Sequence, residues 1–248
     1  MSKPRRPRKG RKITLLPSIL TTGNIFCGFY ALIAAIEGHY SASSVAILIA
    51  MIFDILDGRV ARFTGTSSRF GLEYDSLCDL VSFGVAPAIL VFTYALKPYG
   101  RYGWLAAFVY VATTALRLAR FNTQSYGEKS FFSGLPSPAA AGLVASSILF
   151  TRWLGFEQPV KHVALLLMVY TISYLMVSGI PYFSFKRITF AERHPFYALV
   201  AFVLLLALIA TEPPLTIFLG FILYVLSGPL LLGLRVWRGH KVAISSEV

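Results

Sequence analysis

The sequence predicts an all-α integral membrane protein of about eight transmembrane helices, with N- and C-termini in the cytoplasm. Three observations carry that prediction. Of 248 residues, 56% are hydrophobic and 14% charged, where a soluble domain has roughly 45–50% and about 25%; the mean hydropathy is +0.67. Apolar runs approaching the roughly 20 residues that cross a bilayer recur about eight times. The basic residues, finally, are sorted unevenly among the segments between those runs.

Taken in order, residues 1–15 form a tail with seven basic residues between Lys3 and Lys12. The first run, Leu16–Ile36, is too long, and lacks the small-residue cleavage site, for a secretory signal peptide. The second, Ser43–Leu56, is short and is expected to continue as helix into the polar stretch after it. The third is Leu80–Leu96. The fourth, Gly103–Leu118, is also short and expected to extend. Ala139–Leu154, Val163–Pro181, Pro195–Ala210 and Pro214–Leu234 complete the set. Without a repeat or a low-complexity linker, residues 16–236 read as one membrane domain, followed by a tail at 237–248.

Basic residues favour cytoplasmic loops. With eight spans and the N-terminus inside, 19 of the 23 Lys and Arg fall on the cytoplasmic side. Only Lys97, Arg101, Arg152 and Lys161 fall outside, and a wrong span count would scramble that sorting. The formal net charge of +12 therefore reads as topology and attraction to anionic lipid, not as a nucleic-acid surface. Two cysteines, Cys27 and Cys78, give no disulfide framework.

The four aspartates, Asp54, Asp57, Asp75 and Asp79, all lie within 26 consecutive residues. Ionisable groups near membrane depth are costly and mark functional sites. Asp54 and Asp57 end the second span, and Asp75 and Asp79 open the third. Spacings of three and four residues put each pair on one helix face, so two adjacent helices would aim four carboxylates at one point. Hard oxygen ligands select Mg²⁺, Mn²⁺ or Ca²⁺ over zinc. Two such ions sharing a carboxylate would neutralise the cluster and suit phosphoryl chemistry. The competing reading is a set of helix caps and interfacial carboxylates. Gly58 and Ala61, beside the aspartate face, would let a large ligand approach the helix, or would serve helix packing. Arg62 follows as a candidate phosphate contact.

Together these residues spell D-x2-D-G-x2-A-R-x8-G-x3-D-x3-D, from Asp54 through Gly71 to Asp79, without a mismatch. The pattern resembles the CDP-alcohol phosphatidyltransferase family. The resemblance implies a helical membrane enzyme, usually a homodimer, whose members displace CMP from a CDP-linked substrate by an alcohol hydroxyl, using a pair of divalent metal ions, Mg²⁺ or Mn²⁺. It makes Asp54, Asp57, Asp75 and Asp79 metal ligands and Asp79 also the general base. Gly58, Ala61, Arg62 and Gly71 would line the cytidine diphosphate, with Ser68 a weaker candidate. No separate nucleophile is evident: G-x-S-x-G is absent, and none of the four histidines stands in an H-x-K pair. Direct in-line displacement is the simpler mechanism.

Leu20–Asn24, Val81–Pro87, Arg117–Asn122 and Phe132–Pro138 resemble the phosphatidylserine synthase branch, although Pro17-Ser18 stands where that branch and its relatives often carry Pro-Asn. The branch implies CDP-diacylglycerol and L-serine as substrates, on the cytoplasmic side of the cell membrane. Serine is a zwitterion, so its site needs cations and acceptors. Arg117, Arg120, Asn122 and Lys129 fall on the aspartates' side of the membrane and are candidates. They would equally suit glycerol 3-phosphate or an inositol compound, or simply snorkel to the interface. A cation transporter is the reading from another class, but it predicts acidic groups near the midplane, and here they sit at the inner edge.

Overall fold

The computed structural model describes residues 15–64, 68–124, 132–156, 162–182 and 195–245. The segments are helices α1 (Leu15–Ile36), α2 (Tyr40–Phe63), α3 (Arg69–Tyr99), α4 (Arg101–Gln124), α5 (Ser137–Trp153), α6 (Val163–Val177), α7 (Pro195–Thr211) and α8 (Pro213–Ser245). One small antiparallel ladder pairs β1 (Phe132–Ser133) with β2 (Pro181–Tyr182). Among the described residues, four helical stretches are long and apolar enough to cross a bilayer: Pro17–Ile36, Arg69–Tyr99, Arg101–Thr123 and Pro213–Gly233. Large apolar side chains such as Phe26, Phe29, Leu223 and Leu230 lie exposed on their outer faces, as lipid contact requires.

Several helices exceed the apolar runs that predict them, because apolar length reports bilayer depth and not helix limits; α6 instead stops at Val177, short of the expected Pro181, which pairs in the β1–β2 ladder. α2 continues to Phe63 and α4 to Gln124, as their short runs lead one to expect. α3 starts at Arg69, well before Leu80, so Asp75 and Asp79 sit inside the rod. α8 runs past Leu234 to Ser245.

α1 and α2 form a hairpin closed at Gly38, whose φ of 81° suits glycine at a helix C-terminus. His39 N–H donates to the Ala34 carbonyl at 2.8 Å. Small residues then let the two backbones approach: Ala31, Ala34 and Ala35 of α1 and Ser43, Ala46 and Ala50 of α2 are all buried, and the Ser43 hydroxyl donates to the Ala31 carbonyl at 2.7 Å. α5 is the central helix. Ala139 to Ile148 are buried on every side, and α2 and α8 pack against it.

α3 and α8 each carry an internal proline, which has no N–H to give the carbonyl four residues back. In α8 that carbonyl belongs to Val225, and the buried Tyr182 hydroxyl donates to it at 3.2 Å. In α3, Pro87 follows a π-helical segment at Leu80–Val85, and the buried Tyr110 hydroxyl donates to the Phe83 carbonyl at 3.1 Å. Both tyrosines supply, from a neighbouring element, a donor that proline withholds.

Candidate active site

The last turns of α2 and the first turns of α3 meet at one end of the bundle. Carboxylate oxygens of Asp54, Asp57 and Asp75 come within 4.8 Å of one another. Asp57 is buried and Asp54 and Asp75 are half-buried. Buried oxygens Oδ2 of Asp57 and Oδ1 of Asp75 have no hydrogen-bond partner. Among the described residues no Lys or Arg lies within ion-pair distance of any of the four aspartates. Crowded carboxylates with orphaned oxygens are relieved by protons or by a cation, and an all-carboxylate donor set suits Mg²⁺ or Mn²⁺. The residues fit the metal.

Asp79 lies one turn beyond Asp75 and is itself buried. Its Oδ1 accepts a hydrogen bond from Asn24 Nδ2 of α1 at 3.0 Å. Thr21 of α1 lies against Asp57, and the Thr22 and Tyr74 hydroxyls are 3.1 Å apart. α1 is thus one wall of the site.

The small residues beside the aspartates are open. A Cβ at Gly58 would meet only the Arg62 guanidinium, with Nη1 at 3.5 Å, and one at Gly71 only the Ser68 hydroxyl at 3.2 Å. No neighbouring helix needs either glycine, which favours ligand approach over helix packing. Arg62 folds back along α2 beside Gly58, and Ala61 is half-buried. Ser68 is the N-cap of α3 and accepts from Gly71 N–H at 3.0 Å.

The other predicted contacts divide. Arg117 stands on the aspartates' side of α4, its charge acting on Asp54 and Asp79. Its Nη1 donates to the Ser137 hydroxyl at 2.8 Å. Asn122 is engaged with α3, donating from Nδ2 to Ser76 Oγ at 3.0 Å and to Glu73 Oε2 at 3.2 Å. Arg120 is exposed, and Lys129 lies outside the described residues. Asn24, Thr21 and Ser137 fall in stretches that resemble the branch, but the sequence assigns them no role in the site. The available signal is that polar side chains within apolar helices must find partners.

The site's four carboxylates and its open glycines fall inside residues 14–177, which match the model of the CDP-alcohol phosphatidyltransferase family, and the chain belongs to that family. It is a membrane-associated transferase built on helices. The CDP-diacylglycerol–serine O-phosphatidyltransferase of Helicobacter pylori (strain ATCC 700392 / 26695) is 34% identical over 215 residues, covering 86% of this chain and 89% of that protein. The enzyme of the same name from Mycobacterium leprae is 38% identical over 213 residues, covering 83% and 69%. The archaetidylserine synthase of Methanothermobacter thermautotrophicus is 38% identical over 177 residues, covering 69% and 72%.

Proposed function

We propose that this protein transfers the phosphatidyl group of CDP-diacylglycerol to the hydroxyl of L-serine, giving phosphatidylserine and CMP. The observation that carries the reading is the shared acceptor: relatives aligned over most of the chain, one of them archaeal, are named for serine. The clustered carboxylates support the chemistry.

In the reaction, Asp54, Asp57, Asp75 and Asp79 would hold a pair of divalent ions, Mg²⁺ or Mn²⁺. Bound there, the metal supplies charge stabilisation to the diphosphate and to departing CMP. Asp79 receives the proton of the serine hydroxyl as its oxygen bonds to phosphorus and the P–O bond to CMP breaks. Gly58, Ala61 and Gly71 leave room for the cytidine diphosphate, Ser68 shapes the turn that carries Gly71, and Arg62 meets a phosphate. Arg117, with Arg120, Asn122 and Lys129, forms the acceptor side. The reading includes eight spans, both termini and the active site on the cytoplasmic face of the cell membrane, and a homodimer. The sorting of basic residues supports the topology, and the family resemblance supports the dimer.

The test is an assay of purified protein with CDP-diacylglycerol, Mn²⁺ or Mg²⁺, and a panel of radiolabelled alcohols. Serine is the expected acceptor. Incorporation of glycerol 3-phosphate or an inositol compound instead would move the protein to a sister activity with the family intact. Reporter fusions at the two ends test topology, and both should report from the cytoplasm.

A further inference from the structure

Asp79 stands apart from the trio of aspartates whose oxygens gather within 4.8 Å, and α1 holds it. Asn24 is fully buried, and its Nδ2 donates to Asp79 Oδ1 at 3.0 Å. The height of Asn24 is itself fixed. Its backbone carbonyl accepts from the Ser82 hydroxyl at 3.1 Å, and Ser82 is fully buried one turn beyond Asp79. One turn along α1 from Asn24, Gly28 has no room for a Cβ, because the Ser82 hydroxyl and Cα fill the space. The π-helical segment begins at Leu80, directly after Asp79, a local distortion frequent at functional sites. The amide bond engages Oδ1, and among the described residues Oδ2 of Asp79 accepts none. Asn24 Oδ1 is buried and unpartnered, so the amide is not placed for its own satisfaction.

We propose that Asn24 is a positioning residue for phosphatidyl transfer: it locks the Asp79 carboxylate in one orientation, with Oδ2 kept for the acceptor hydroxyl. The proposal rests on the reading of Asp79 as general base. A free carboxylate would rotate among orientations, and only a fraction would meet the hydroxyl in line with phosphorus. Fixing it raises turnover without changing how tightly either substrate binds.

The experiment uses full-length enzyme in mixed micelles with CDP-diacylglycerol, serine and saturating Mn²⁺. Asn24→Leu keeps the approximate volume and removes the donor. Expected is a fall in kcat of about 10- to 100-fold, the usual range for a residue supporting a catalytic ligand. Both KM values should stay within about twofold, and the solvent deuterium isotope effect on kcat should rise as proton transfer becomes limiting. Should Asn24→Leu fail to accumulate in membranes, Asn24→Ser carries the test. Its short hydroxyl is satisfied by the carbonyl one turn back and does not reach Asp79. Wild-type kcat in a folded Asn24 variant, with Asp79→Asn inactive, overturns the positioning role and leaves the base in place. A kcat loss with an unchanged isotope effect and KM values raised in parallel also overturns it, marking Asn24 as merely structural. Turnover by Asp79→Asn near wild type overturns the base reading itself.

Discussion

Arg117 Nη1 donates to the Ser137 hydroxyl at 2.8 Å, joining α4 to the first turn of central helix α5. Ser137 is buried at the start of that helix, so it presents a fixed acceptor to a cation whose long side chain would otherwise sample many rotamers. Arg117 Nε is buried and has no partner. A guanidinium with one arm anchored and another donor unspent is prepared for an anionic ligand.

If that ligand is the serine carboxylate, the Arg117→Lys enzyme keeps the charge and loses the planar fork. We expect the serine KM to rise about tenfold, equivalent to roughly 1.4 kcal/mol, with little change in the CDP-diacylglycerol KM. Ser137→Ala should give a smaller rise in the same parameter. Steady-state kinetics with each substrate varied in turn checks this. A rise confined to CDP-diacylglycerol would relocate Arg117 to the nucleotide-lipid side.

The trio of carboxylates within 4.8 Å sets activity against stability in the metal-free protein. Each ionised pair at that separation costs on the order of 3 kcal/mol at an effective dielectric near 20. Asp75→Asn should therefore raise the thermal midpoint measured in EDTA, by a few degrees. Wild-type protein should gain the larger increment on adding Mn²⁺, since ligand at about a hundred times its Kd contributes roughly 2.7 kcal/mol. Differential scanning fluorimetry with and without metal reads both numbers. An Asp75→Asn midpoint that falls in EDTA would mean the carboxylate is held by protein contacts instead.

Much of this site is legible in the sequence, and the physical reason separates what is from what is not. Asp54, Asp57, Asp75 and Asp79 stand out because charge at membrane depth requires compensation, and their spacing fixes a common helix face. Periodicity cannot say which helix lies opposite. Asn24 thus closes a stretch that resembles the branch but has no assigned role until α1 is seen against Asp79. Asn122 reads as a candidate acceptor, and only the structure shows its Nδ2 donating to Ser76 and Glu73. The Ser68 hydroxyl accepts from Gly71 N–H, a capping role that the loop sequence permits but does not single out. The β1–β2 ladder is two residues long, too short for any alternating pattern.

Gly28 and Gly58 look alike in sequence and should respond oppositely to alanine. At Gly28 the added methyl would press on the Ser82 backbone and hydroxyl, an overpacking that costs about 1–3 kcal/mol. At Gly58 it meets only the flexible Arg62 side chain at 3.5 Å. Gly58→Ala is therefore expected to fold with wild-type thermal stability and to bind CDP-diacylglycerol at least tenfold more weakly, about 1.4 kcal/mol. Gly28→Ala should lose several degrees of thermal midpoint. Binding of a labelled CDP-lipid alongside thermal denaturation separates the two. Unimpaired binding by Gly58→Ala would mean that the cytidine diphosphate does not approach this face of α2.

The proline in α8 gives a prediction that tests the fold independently of catalysis. Pro229 offers no N–H to the Val225 carbonyl, and the buried Tyr182 hydroxyl at 3.2 Å is the replacement donor. Tyr182→Phe removes it and leaves a carbonyl unsatisfied where water is scarce. Hydrogen bonds between elements in membrane proteins contribute about 0.6 kcal/mol on average and up to about 1.7, so the loss should fall in that range. Pro229→Ala restores a backbone donor to the same carbonyl. In that background the tyrosine hydroxyl is redundant, and Tyr182→Phe should cost much less. A double-mutant cycle built from reversible unfolding in mixed micelles measures the difference as a coupling energy. Equal costs of Tyr182→Phe in the two backgrounds would show that the hydroxyl does not substitute for the missing N–H.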